Sequence, residues 1–192
     1  MKIVQNKQQK TLLVTVLNEL NNQKVIAYPT EAVFGLGCNP DSESAVHTLY
    51  NLKQRSYNKG LILVAAKYEQ LLPYIDDTKL SDTRLQQMFS YKYKPVTWVM
   101  PIKRTTPKWL IGSFSTIAVR VSYHPVVQIL CEQFGKPLVS TSANINGLKP
   151  CRTAQEVRLH FGYNLNMLDL TIGHNLYPSE IRDALTNKLF RK

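Results

Sequence analysis

A chain of 192 residues, 44% hydrophobic and 19% charged, is long enough to bury a sizeable core and too apolar to be disordered. Its formal net charge of +11, from 24 Lys and Arg against 13 Asp and Glu, favours an anionic small substrate or a polyphosphate nucleotide ahead of RNA. No run of about 18 apolar residues occurs, and the basic start MKIVQNKQQK lacks a signal-type apolar region, so no transmembrane helix and a cytoplasmic location are expected.

Residues 8–22 carry Leu12, Leu13, Val16, Leu17 and Leu20 at helical spacing, which predicts a first helix closed by Asn21 and Asn22. The apolar run 24–28 predicts a strand that breaks at Pro29-Thr30-Glu31. Gly35 and Gly37 then permit a tight turn or a close ligand approach. Asp41 is placed to cap a helix through about Leu52, with Glu43 and Ser44 in its first turn. A second buried-looking strand, 61–66, leads to helical segments at about 67–75 and 80–90. PVTWVM, 95–100, reads as a strand closed by Pro101, and TIAVRV, 116–121, as another. A helix over 125–134 has Pro125 in its first turn and ends at Gly135. A short strand, 136–140, enters the polar loop 141–152, and a last helix covers 153–161. Short strands near 167–171, 179–185 and 188–191 complete the tail. Alternating strands and helices define an α/β class, and antiparallel pairs near 95–121 and in the tail predict a single-domain, twisted, mixed parallel and antiparallel sheet with flanking helices over 1–192.

Cys38, Cys131 and Cys151 form no CxxC pair, and none of the four histidines has metal-ligand spacing, so reduced thiols and no structural zinc are expected. There is no GxxxxGK[ST], GxGxxG or GxSxG. Lys53 and Arg55 stand two apart, with Lys59 nearby; they are either a solvated helix end or a pair suited to a triphosphate. Thr30 sits at a strand end, where ligands bind in α/β sheets, or it serves a turn or cap. Arg120, inside an apolar strand, needs an anion: an internal carboxylate or a bound one. Ser140-Thr141-Ser142-Ala143-Asn144 lines a phosphate or metal-water site, or forms an ordinary turn. Pro178-Ser179-Glu180 is a second polar strand entry, and Arg191 is a tail charge or a late phosphate contact. Trp98 and Trp109 read as core.

Six segments in order, VIAYPTEAVFGLGC, LKQRSYNKGLILVAA, PVTWVMP, IAVRV, GKPLVSTSANINGLKPCRT and PSEIRDAL…LFR, strongly resemble the YrdC/TsaC family of bacterial threonylcarbamoyl-AMP synthases in its short single-domain form. The resemblance implies a nucleotidyltransferase: L-threonine and bicarbonate give N-carboxythreonine, which attacks the α-phosphate of ATP. Threonylcarbamoyl-AMP then passes to partner proteins that modify adenosine 37 of tRNAs reading ANN codons. It implies that Thr30, Arg120, Ser140 and Ser179 hold threonine, and that Lys53, Arg55, Ser142, Asn144 and Arg191 hold ATP, with Lys53 and Arg55 catalytic. It implies Mg²⁺ carried on the ATP phosphates near Ser142 and Asn144 rather than on protein ligands. Ser56 stands where the family often has proline, Asn146 where serine is commoner, and Trp98 where phenylalanine is usual. The competing class is a non-catalytic RNA-binding module, and a lone carbamoyl-transfer module is a third. Any RNA contact is expected to be weak and through phosphates.

Overall fold

In the computed structural model, which describes residues 7–90, 96–175 and 179–191, strand alternation sets the architecture. The strands are β1 (Ile26–Pro29), β2 (Phe34–Cys38), β3 (Ile62–Ala65), β4 (Val96–Pro101), β5 (Thr116–Val121), β6 (Leu138–Ser142), β7 (Glu180–Asp183) and β8 (Leu189–Arg191). They form one sheet in the order β1-β2-β6-β3-β5-β4-β7-β8. The β3–β5 and β4–β7 pairs are parallel and the others antiparallel, so the sheet is mixed, as the sequence predicts. The helices are α1 (Lys7–Asn21), α2 (Glu43–Lys53), α3 (Asp82–Phe89), α4 (Lys108–Ile111), α5 (Pro125–Phe134) and α6 (Ala154–Phe161), with a 3₁₀ turn at Tyr68–Leu71.

Successive side chains of a strand point to opposite faces. Leu36, Leu63, Met100, Val119 and Val139 face one way and pack with Val46 and Leu49 of α2 and Leu110 of α4. Tyr28, Val64 and Leu138 face the other way, under Val16 and Leu20 of α1 and Val127 and Leu130 of α5. Each such fully buried aliphatic contributes about 1.5–3 kcal/mol. The second face is covered only in part. Val64 lies under α5, but Ile62, its neighbour on the same face, and Ala118 and Arg120 of β5 line an open cavity.

Several sequence expectations shift. Ser42, not Asp41, caps α2: its hydroxyl accepts from Ala45 N at 3.2 Å. Asp41 instead accepts from the Tyr74 hydroxyl at 2.6 Å and from Lys136 Nζ at 2.7 Å. The segment at 67–75 holds one 3₁₀ turn, Tyr68–Leu71, whose start is capped by Gln70 Oε1 accepting from the Ala66 and Lys67 amides. The 167–171 strand reduces to one bridge, Ala27 to Met167. The Gly35–Gly37 stretch is not a free turn but lies in β2, pairing with both β1 and β6. Pro95 and Pro178, which open two of the expected segments, lie outside the described residues.

Candidate active site

The β1–β2 hairpin loop, residues 30–33, is closed by Thr30, whose N and Oγ1 both donate to the Val33 carbonyl, at 3.0 and 2.7 Å. A second segment locks onto it: Gly173 N donates to Thr30 O at 2.8 Å. A Cβ at Gly173 would stand 2.6 Å from Glu31 O, so only glycine permits this approach. The loop carries Glu31 to Arg120, with Arg120 Nη2 to Glu31 Oε2 at 3.4 Å. Ser122 Oγ donates to Glu31 Oε1 at 2.6 Å. Burial works to raise the Glu31 carboxyl, but Arg120 and the Ser122 bond outweigh it and hold the group below its ordinary range. Burial, against the pull of Glu31 and with Arg120 alongside, pushes the imidazole of His124, beside the pair, below its ordinary range.

Helix α2 ends in a left-handed residue, Gln54 (φ 51°), which sends Lys53 and Arg55 in different directions. Lys53 turns inward. It is 3% exposed, and its Nζ donates to Ser142 O at 2.5 Å, Asn144 O at 2.9 Å and Asn144 Oδ1 at 3.2 Å. Burial, with Arg55 nearby, pulls its ammonium down to about 8. Arg55 turns the other way, to the cavity wall, and donates from Nη2 to Gly60 O at 2.8 Å. Asn144 is engaged on every side: its Oδ1 also accepts from Ser142 Oγ at 2.6 Å, and its Nδ2 donates to the Ile145 and Leu148 carbonyls at 2.9 Å.

These elements enclose a cavity of about 830 Å³, the size of a small-molecule site. Of the residues singled out in the sequence, Thr30, Arg55, Arg120, Ser140, Ser142, Ser179 and Arg191 line it. Lys53 and Asn144 do not; they stand behind Ser142 and fix the loop that carries it. Arg191 donates from Nη2 to Ser179 O at 2.9 Å, and burial and Arg120 both weigh against its charge. The lining brings Arg55, Lys59, Arg120 and Arg191 against a single carboxylate, Glu31, among the described residues. The Nε atoms of Arg55 and Arg120 are buried without a hydrogen-bond partner among those residues. An excess of cations with orphaned donors is an anion site waiting for acceptors. No group of three or more His, Cys, Asp or Glu among the described residues is placed to hold a metal ion.

Sequence reasoning passed over Glu31 as a site residue, and also Phe114 and Phe190, exposed aromatics on the cavity wall. Phe114 and Phe190 carry no motif. Glu31 had a signal, since an arginine inside an apolar strand calls for a carboxylate.

The fold and cavity thus define an open α/β sheet with a cationic site on its uncovered face. Residues 18–192 match the Sua5_yciO_yrdC family model, described as telomere recombination, and the chain belongs to the Sua5/YciO/YrdC family. It is 60% identical over 183 residues to a threonylcarbamoyl-AMP synthase of Yersinia enterocolitica, covering 95% of this chain and 96% of that one. A Yersinia pestis protein of the same name is 58% identical over 181 residues, covering 94% and 95%. Among solved structures, P. abyssi Sua5 complexed with L-threonine superposes with a TM-score of 0.78 at 26% identity, covering 93% of this chain. This chain spans about half of that longer one (52%). E. coli YciO shares the fold at TM-score 0.76 and 20% identity, covering 97% of this chain and 91% of that one.

Proposed function

We propose that this chain is an L-threonylcarbamoyladenylate synthase, and that one YrdC-like domain over 1–192 carries the whole reaction in the cytoplasm. The threonine amine bonds to the carbon of bicarbonate and water leaves. An oxygen of the resulting carbamate then attacks the α-phosphorus of ATP, the bond to pyrophosphate breaks, and threonylcarbamoyl-AMP forms. That product goes to partner proteins that modify adenosine 37 of tRNAs reading ANN codons. The observation that carries the reading is the convergence of separate strand ends and loops on one cation-rich cavity, in a chain so similar to named synthases. A non-catalytic RNA-binding surface needs no such enclosure.

Arg120, with Thr30, Ser140 and Ser179, holds the amino acid, its guanidinium meeting the α-carboxylate. Arg55, Arg191 and Ser142 hold the ATP phosphates, and cations already in place stabilise charge as pyrophosphate departs. Lys53 and Asn144 serve the nucleotide by fixing the Ser142 loop. The substrates react with each other once aligned, so no protein nucleophile is required. Mg²⁺ fits as a passenger on the nucleotide: the cavity's carboxylate is already paired, and this ion favours substrate phosphates. Ser142, backed by Asn144, would offer it an oxygen, and the ion would supply further neutralisation of phosphate charge.

Purified protein given ATP, Mg²⁺, bicarbonate and threonine should release pyrophosphate and form threonylcarbamoyl-AMP. Equal release with threonine or bicarbonate omitted would sink the synthase reading. Calorimetric binding of ATP and threonine without RNA separates it from the RNA-binding alternative.

A further inference from the structure

The hydroxyls of the cavity do not all present the same polarity to a ligand. Thr30 spends its proton on the Val33 carbonyl and Ser142 on Asn144 Oδ1, so each is left offering lone pairs. Ser179 shares a 2.8 Å bond with the wholly buried Thr97 hydroxyl, in which either oxygen can donate. Ser140 is different. Its Oγ lies 2.8 Å from the hydroxyl of Tyr28, a residue with no exposed surface. A buried phenol must place its proton on an acceptor. Among the described residues, Tyr28 is bonded through that hydroxyl to Ser140 alone. Burial pushes the phenol far above its ordinary range, so it keeps the proton it donates. Ser140 therefore accepts from behind, and its own proton, bonded to no group among the described residues, is left for the cavity it lines.

We propose that Tyr28 is a positioning residue for the amino-acid substrate: by donating to Ser140, it fixes Ser140 as a hydrogen-bond donor to a proton-free oxygen of that substrate. This rests on the synthase reading. Gly37 of β2 belongs to the same device. A Cβ at Gly37 would stand 2.7 Å from Tyr28 Cε1 and 2.8 Å from Val139 O; one at Gly35 would stand 3.4 Å from Tyr28 Cζ and 3.6 Å from Ser140 Oγ. The ring occupies the space that Gly37 leaves empty, which brings its hydroxyl to β6, where Gly37 and Ser140 are register partners. Gly37 is thus explained by the tyrosine, whereas Gly35 lines the cavity. A donor set opposite acceptor-only hydroxyls gives the site a direction: a carboxylate or carbamate oxygen suits Ser140, while an N–H suits Thr30.

The test is a double-mutant cycle on the full chain, with threonine and ATP affinities measured by calorimetry for wild type, Tyr28→Phe, Ser140→Ala and the double variant. Phenylalanine keeps the ring beside Gly37, so the fold is retained and a matching thermal melt verifies it. Tyr28→Phe should weaken threonine binding about 3- to 10-fold, the net worth of one polarising hydrogen bond. ATP affinity should not change. In the Ser140→Ala background the same substitution should leave threonine affinity unchanged, because its only route to substrate is gone. Wild-type threonine affinity in Tyr28→Phe, an equal loss in the Ser140→Ala background, or an equal loss for ATP would overturn the proposal. Failure of the wild-type chain itself to bind threonine would instead bring down the synthase reading, and this inference with it.

Discussion

Arg120 pairs with Glu31 and is proposed to hold the substrate carboxylate, and one pair of substitutions separates the two roles. In Arg120→Ala the Glu31 carboxylate, 15% exposed, keeps Ser122 but loses its counter-charge. Removing one partner of a buried pair costs about 3–5 kcal/mol. The 3.4 Å separation and the relief of Arg191 lower the expectation here to about 2–3 kcal/mol, or roughly 4–12 °C in Tm for a chain of this size. Threonine loses a charge-assisted contact of about 1.5–3 kcal/mol, so its affinity should fall about 10- to 150-fold. Adding Glu31→Gln removes the stranded charge. The double variant should recover most of the lost Tm and none of the lost affinity. Arg120→Lys should recover part of the Tm but little affinity, since an ammonium cannot reproduce the fork. Thermal melts and threonine calorimetry on the four proteins decide it. Wild-type threonine affinity in Arg120→Ala, or recovered affinity in the double variant, would reduce Arg120 to an internal salt bridge and refute the reasoning.

Lys53→Met should strand the Asn144 carbonyl and take one of two donors from Ser142 O and from Asn144 Oδ1, lowering stability by about 1–3 kcal/mol and raising the KM for ATP more than that for threonine. Because the Lys53 ammonium titrates near 8, the wild-type KM for ATP should climb above that pH; the same climb in Lys53→Met would assign it elsewhere. Glu31 has a folded pKa below its ordinary 4.5, so its stabilisation is complete above that value and is lost as pH falls through the folded pKa. The Tm gap between wild type and Glu31→Gln should therefore narrow from pH 6 towards pH 3, and a constant gap would contradict the pairing.

Legibility in the sequence tracked how much of an element's fate is local. The strand at 116–121 and the helix at 125–134 are found where expected, because alternation in one and Pro125 and Gly135 in the other fix their bounds. Strand β2 escaped because all five of its residues are buried and two are glycines, so it has neither alternation nor β-branched side chains. The four-residue α4 is too short for a periodic signal. The cavity cations were legible as residues, but their directions were not. Nothing in the spacing of Lys53 and Arg55 says that a left-handed Gln54 turns one under the Ser142 loop and the other to the cavity wall.

The walls of the cavity differ in how firmly they are held. Ile62, Ala118, Arg120 and Ser140 belong to strands paired on both sides. Phe190 and Arg191 sit on β8, three exposed residues at the sheet's edge joined to β7 across a register shift. Edge segments with exposed hydrogen bonds open locally at a small fraction of the global unfolding cost. The cavity accordingly has a rigid floor and a loosely latched flap. Amide exchange should be fast in β8 and slow in β3 and β5, and bound nucleotide, by engaging Arg191, should slow it at the flap first.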